Sequence, residues 1–119
     1  MAFTEHSELR EVHGISDNEK SRIRTFMQGA IYCWVKNRAG EPFAVRDLMG
    51  GTNTDWAGTP LQALYDKHID AGKDAESASE DAAKDLGWLV KRVLADDKRT
   101  FIAGKAGLVS SYHWIGNEY

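Results

Sequence analysis

Seven residues toward the carboxy terminus, Lys84, Trp88, Lys91, Arg92, Lys98, Arg99 and Lys105, have the side-chain types that bind anions. Ammonium and guanidinium groups pair with phosphate, and a flat indole stacks on a base or covers a sugar. From Lys84 to Lys105 six basic residues stand against three acidic ones, Asp85, Asp96 and Asp97. That segment carries about +3 and the remainder about −6, within a net charge of −3. Asymmetry of this kind points to an anionic partner. At 100° per residue from Leu86, Lys84, Trp88 and Lys91 fall at about 160°, 200° and 140°, with Arg92 at about 240°. All four lie away from the apolar stripe. The competing reading packs Trp88 against the amino-terminal arm or the terminal strands and leaves the lysines to solvate a face.

Other chemistry is thinly represented. His6, His13, His68 and His113 stand in no H-E-x-x-H or related spacing. His68 falls beside a helical core face and reads as a structural histidine with satisfied ring nitrogens. Cys33 precedes the apolar Trp34 in a helix and is expected to be a buried or partly buried thiol without a fixed basic neighbour. Gly50-Gly51-Thr52-Asn53-Thr54 lacks the G-x-x-x-x-G-K-[ST] pattern of a phosphate loop and reads as a turn. No catalytic residue, metal-ligand set or cofactor motif emerges, so the expectation is a protein that is not an enzyme.

The elements that must position the basic residues follow from periodicity. Ser16-Asp17-Asn18-Glu19 is a capping box. Beyond it Ile23, Phe26, Met27, Ala30, Ile31, Trp34 and Val35 mark one face of a helix ending near Asn37. Phe43-Ala44-Val45 reads as a short extended stretch, and Arg46 to Met49 as one helical turn. Thr59-Pro60 opens a further helix with Leu61, Leu64, Tyr65, His68 and Ile69 on one face, and Gly72 closes it. After a polar linker from Lys73 to Ser77, a last helix begins at Ser77 or Ser79 and runs to about Ala95. Its inward stripe is Ala82, Ala83, Leu86, Leu89, Val90 and Val93. Thr100 to Ala103 and Leu108 to Ile115 are β-prone runs joined by Gly104-Lys105-Ala106-Gly107, a hairpin signal.

Length and composition bound the whole. With 119 residues, 42% hydrophobic and 28% charged, the chain has material for one core and too little charge for full disorder. One cysteine excludes a disulfide framework and a multi-cysteine zinc site. No apolar run approaches the roughly 20 residues of a membrane span, and the start is too polar for a secretory signal. The expectation is a cytoplasmic α+β domain, mainly helical, with a small C-terminal β-hairpin over residues 16–119 and a flexible arm over 1–15. Val12 and Ile15 are candidates to tack that arm onto the body.

This order of elements, over roughly residues 16–116, resembles the winged helix-turn-helix family. The resemblance implies a recognition helix at 79–94 entering the major groove of double-stranded DNA and a hairpin wing on the adjacent backbone. It also implies Lys105 at the wing tip and pairing of Phe43-Ala44-Val45 with the hairpin. The chain departs from the family in the loop and additional helix between Met49 and Ser77. It departs again in the acidic helix start, Asp74, Glu76, Glu80 and Asp81. Contacts are then expected from the middle of the helix, Lys98-Arg99 and the wing. The functional expectation is a nucleic-acid-binding or regulatory accessory module. The alternative is a protein–protein interaction module of similar fold without catalytic activity, using the acidic helix start or an apolar edge. Neither reading involves a membrane, a metal or a cofactor.

Overall fold

Helix α1 (Asp17–Asn37) starts where its capping box places it. The Glu19 amide donates to Ser16 Oγ at 3.1 Å, and the Ser16 amide donates to Glu19 Oε1 at 2.8 Å. Two of the amide groups that a helix start leaves unpartnered are thereby satisfied. The face it buries is narrower than the periodicity suggests. Ile23, Met27, Ile31 and Val35, a single row at four-residue spacing, are buried. Phe26 is 39% exposed, and Ala30 and Trp34 are only half-buried. A computed structural model of the chain describes residues 9–49, 55–97, 101–106 and 109–114.

Past α1 the chain turns at Gly40, whose φ of 82° suits glycine, and Phe43 enters an isolated antiparallel bridge with Tyr112. The Phe43 amide donates to the Tyr112 carbonyl at 2.7 Å, and the Tyr112 amide donates to the Phe43 carbonyl at 2.8 Å. The turn α2 (Val45–Leu48) follows at once, its entry fixed by the Ala44 amide donating to Asp47 Oδ2 at 2.8 Å. The expected extended stretch is thus cut short, because Val45 is already helical. Trp56 packs half-buried against the core as an apolar anchor.

Helix α3 (Gln62–Asp70) begins later than Thr59-Pro60 suggested. Thr59 Oγ1 donates to the Trp56 carbonyl and accepts from the Leu61 amide, which makes a tight turn ahead of the helix. Helix α4 (Ala75–Asp96) begins earlier than Ser77. Asp74, expected in the linker, is its cap, with Oδ1 accepting from the Ser77 amide at 2.7 Å.

Strand β1 (Phe101–Ala106) pairs antiparallel with β2 (Val109–Trp114), in register from Phe101↔Trp114 to Ala106↔Val109. Gly104, Lys105 and Ala106, expected in the connection, are ladder residues. Phe43 bonds to the Tyr112 backbone while β1 pairs β2, so β2 lies between the bridge and β1.

The architecture is a small mainly helical α+β domain with a C-terminal hairpin. Its core joins Ile23, Met27 and Ile31 of α1 to Leu61 and Leu64, to Ala82, Leu86, Val90 and Leu94 of α4, and to Phe43 and Phe101. The segment 9–15 has no regular secondary structure, yet Val12 is buried in this core and Leu9 and Ile15 pack against it. Lys67 Nζ of α3 donates to the His13 carbonyl, and Lys20 Nζ donates to Glu11 Oε1 at 3.0 Å. Among the described residues, no helix is long and apolar enough to cross a membrane.

Candidate nucleic-acid interface

Helix α4 turns Ala78, Ala82, Leu86, Leu89, Val90, Val93, Leu94 and Ala95 inward. Ala83, expected within this stripe, is exposed, and Leu94 and Ala95 are buried in addition. The stripe therefore shifts around the helix toward its carboxy-terminal end, where α4 runs beside α1: Gln28 Nε2 donates to Asp97 Oδ2 at 2.8 Å.

On the other side of α4 lies the expected cationic face. Lys84 has 75% of its side chain exposed and stands 3.9 Å from Asp81, a loose i,i+3 pair. One turn later Trp88 packs half-buried against the core. Lys91 Nζ is 5.2 Å from the centre of its ring. The guanidinium carbon of Arg10, brought by the amino-terminal segment, is 4.8 Å from the same centre. Trp88 therefore packs against the arm and carries cations as well, which combines the two readings of its position.

Arg92 is half-buried and close enough to Glu11 for its charge to act there. The hydrogen bond and charge of Lys20 hold the Glu11 carboxyl below its ordinary value of 4.5, with smaller contributions from Arg92 and His13. Lys105 is a β1 residue paired with Ser110, one pair short of the last described pair, so it stands in the ladder and not in a connecting turn. Lys98 and Arg99 lie outside the described residues. The structure thus brings Lys91 and Arg10 to the Trp88 ring, sets Lys84 one turn away along α4, and places Arg92 near Glu11. Nothing in the sequence spacing announces Arg10. The burial of Val12, two residues on, helps fix its place.

Part of the acidic start of α4 is matched from within. The backbone and side-chain bonds from Ser77 hold the Asp74 carboxyl below 3.8. Asp81 is likewise lowered, chiefly by its hydrogen bond from Lys73 at 2.7 Å. Asp85 accepts from Lys67 and from His68 Nε2, each at 2.8 Å. Lys73 Nζ lies 2.7 Å from His68 Nδ1. An ammonium only donates, so Nδ1 is the acceptor here and Nε2 faces the Asp85 carboxylate as donor. Both ring nitrogens of His68 are partnered. Glu76 and Glu80 remain exposed on the helix.

Cys33 is an exposed free thiol, contrary to its expected burial. It lies well around the helix from the row Ile23, Met27, Ile31, Val35, on the rim of a shallow groove with Ala30, Trp34 and Leu48. Among the described residues no three His, Cys, Asp or Glu side chains are grouped to hold a metal ion. The stretch 50–54, expected as a turn, lies outside the described residues. No protein-family model matches the chain, and no curated protein or solved structure matches it either.

Proposed function

We propose that this chain is a nucleic-acid-binding or regulatory accessory module that engages double-stranded DNA through the outer face of α4 and the hairpin beside it. One observation carries the reading: Arg10 and Lys91 meet at the Trp88 ring, with Lys84 one turn away on the same helix. Like charges gathered on one side of a protein raise the local concentration of a polyanion and speed its capture. Lys73 pairs with Asp81 and Lys67 with Asp85, which offsets part of the repulsion from the carboxylates of α4, while Glu76 and Glu80 stay exposed. The bridge between Phe43 and Tyr112 supports a winged-helix-like arrangement, since it sets one extended residue beside the hairpin.

Electrophoretic mobility of a DNA duplex at low salt tests the reading. The folded protein in excess is expected to retard it. Affinity should fall with salt at a log–log slope of about −0.9 per phosphate contacted. Lys91→Glu should weaken binding roughly tenfold or more. A duplex whose mobility is unchanged by folded protein at low salt rules the reading out.

A further inference from the structure

We propose that α1 pairs with α1 of a second copy of this chain, antiparallel about a two-fold axis, with Phe26 of each copy seated in the notch at Gly29 of the other. No residue of the cationic face on α4 belongs to this seam, so the pairing goes beyond the nucleic-acid reading and does not depend on it.

Glu19, Arg22, Phe26, Gly29, Cys33 and Lys36 alternate at three- and four-residue spacing, the period at which one helix meets another along a seam. At 100° per residue from Ile23 they fall between about 220° and 320°. The buried row Ile23, Met27, Ile31, Val35 falls between about 0° and 120°, so the seam looks away from the core. Glu19 is half-buried and the other five are exposed, with the Phe26 ring 39% exposed near the middle. A Cβ built at Gly29 would meet no atom within 4 Å, so the helix surface there is an open notch. Glycine is a poor helix former, and no neighbour in its own chain requires its small size here. Close approach of a second helix does.

Charge selects the occupant and its direction. Helix α1 is acidic in its first turn, at Asp17 and Glu19, and basic in its last, at Lys36. Parallel copies would set like charges together, whereas antiparallel copies set opposite ones together. A two-fold axis between residues 27 and 28 puts Phe26 opposite Gly29, Arg22 opposite Cys33 and Glu19 opposite Lys36, each pair occurring twice. Glu19 Oε1 accepts from the Ser16 amide, and its second oxygen is open to the lysine. Among the described residues, Arg22 and Lys36 form no ion pair within the chain. The apolar stem of Arg22 would lie over the exposed Cys33 thiol of the other copy.

Sedimentation equilibrium of the wild-type chain between about 1 μM and 1 mM is expected to show reversible dimerisation. Gly29→Leu fills the notch without crowding a neighbour in its own chain, so the variant should fold and dimerise roughly tenfold or more weakly. Glu19→Lys and Lys36→Glu each set two like-charged pairs in the interface and should weaken it, and the double variant should recover most of the loss. Glu19→Lys also removes a capping bond, so Arg22→Cys tests the register by itself. Under mild oxidation Arg22→Cys should cross-link to Cys33 of the other copy. The wild-type chain should not, because its two Cys33 thiols stand roughly 16 Å apart along the helix axis. A wild-type chain that stays monomeric over the whole range overturns the proposal. So does a dimer that Gly29→Leu leaves unweakened, a folded double charge variant without recovery, or Arg22→Cys that cross-links no more readily than the wild type.

Discussion

Phe43 sits where three parts of the structure meet. Its ring centre lies 5.7 Å from Trp34 of α1, 6.3 Å from Phe101 of β1 and 6.1 Å from Tyr112 of β2, and it is 1% exposed. The tilted and edge-on arrangements suit aromatic quadrupoles, which add to the area each ring buries. Phe43→Ala should therefore cost about 3–5 kcal/mol in urea unfolding, the range for truncating a fully packed phenylalanine. A loss under about 1 kcal/mol would show that the neighbours close over the cavity. Phe43 was legible as the first residue of a short apolar run after proline. Phe26 and Cys33 were not, because the sequence gives the apolar residues of α1 but not the angular width of the surface that receives them. That surface takes one four-residue row. Phe26 and Cys33 fall outside it. At the candidate site the helical period alone set Lys84, Trp88, Lys91 and Arg92 on one side of α4. Arg10 reaches them through tertiary packing, which no local spacing encodes.

At the scale of elements, boundaries were legible where a side chain closes a local hydrogen bond. The α1 capping box is a purely local motif, and the helix begins at its cap. Ser16→Ala should lower stability by about 1 kcal/mol, checked by chemical denaturation. An unchanged midpoint would mean that water or a neighbouring group replaces the serine oxygen. The start of α4 was misplaced because aspartate serves equally in a linker and as a cap, and Asp74 turned out to be the cap. The hairpin connection was misjudged for a related reason. Gly104 and Lys105 have low strand propensity, yet the ladder to Ser111 and Ser110 carries them into β1. Tertiary and cross-strand pairing overrode local preference there.

Across the whole molecule, charge does structural work at several separate joints. Glu11 ties the amino-terminal segment to α1 through Lys20, Asp81 ties α4 to the α3–α4 turn through Lys73, and Asp74 caps α4. All three carboxyls are held below their ordinary values of 4.5, 3.8 and 3.8. A carboxyl with a lowered value in the folded state binds fewer protons there than in the unfolded chain. Its contribution is thus present in full above the unfolded value and is lost as pH falls through the folded one. Stability should be level from neutral pH to about pH 5 as far as these groups are concerned, and then decline through and below the 3.8–4.5 range. The variant Glu11→Gln, Asp74→Asn, Asp81→Asn should have a lower urea midpoint at pH 7 and a shallower decline toward pH 3. Asparagine keeps the capping geometry at position 74, so only the charge-dependent part is removed there. Curves for the two proteins that fall in parallel would place the acid sensitivity in other carboxylates. Glu11 fastens the segment that carries Arg10, so loss of polyanion binding on acidification should follow the unfolding curve of the wild-type protein and not precede it.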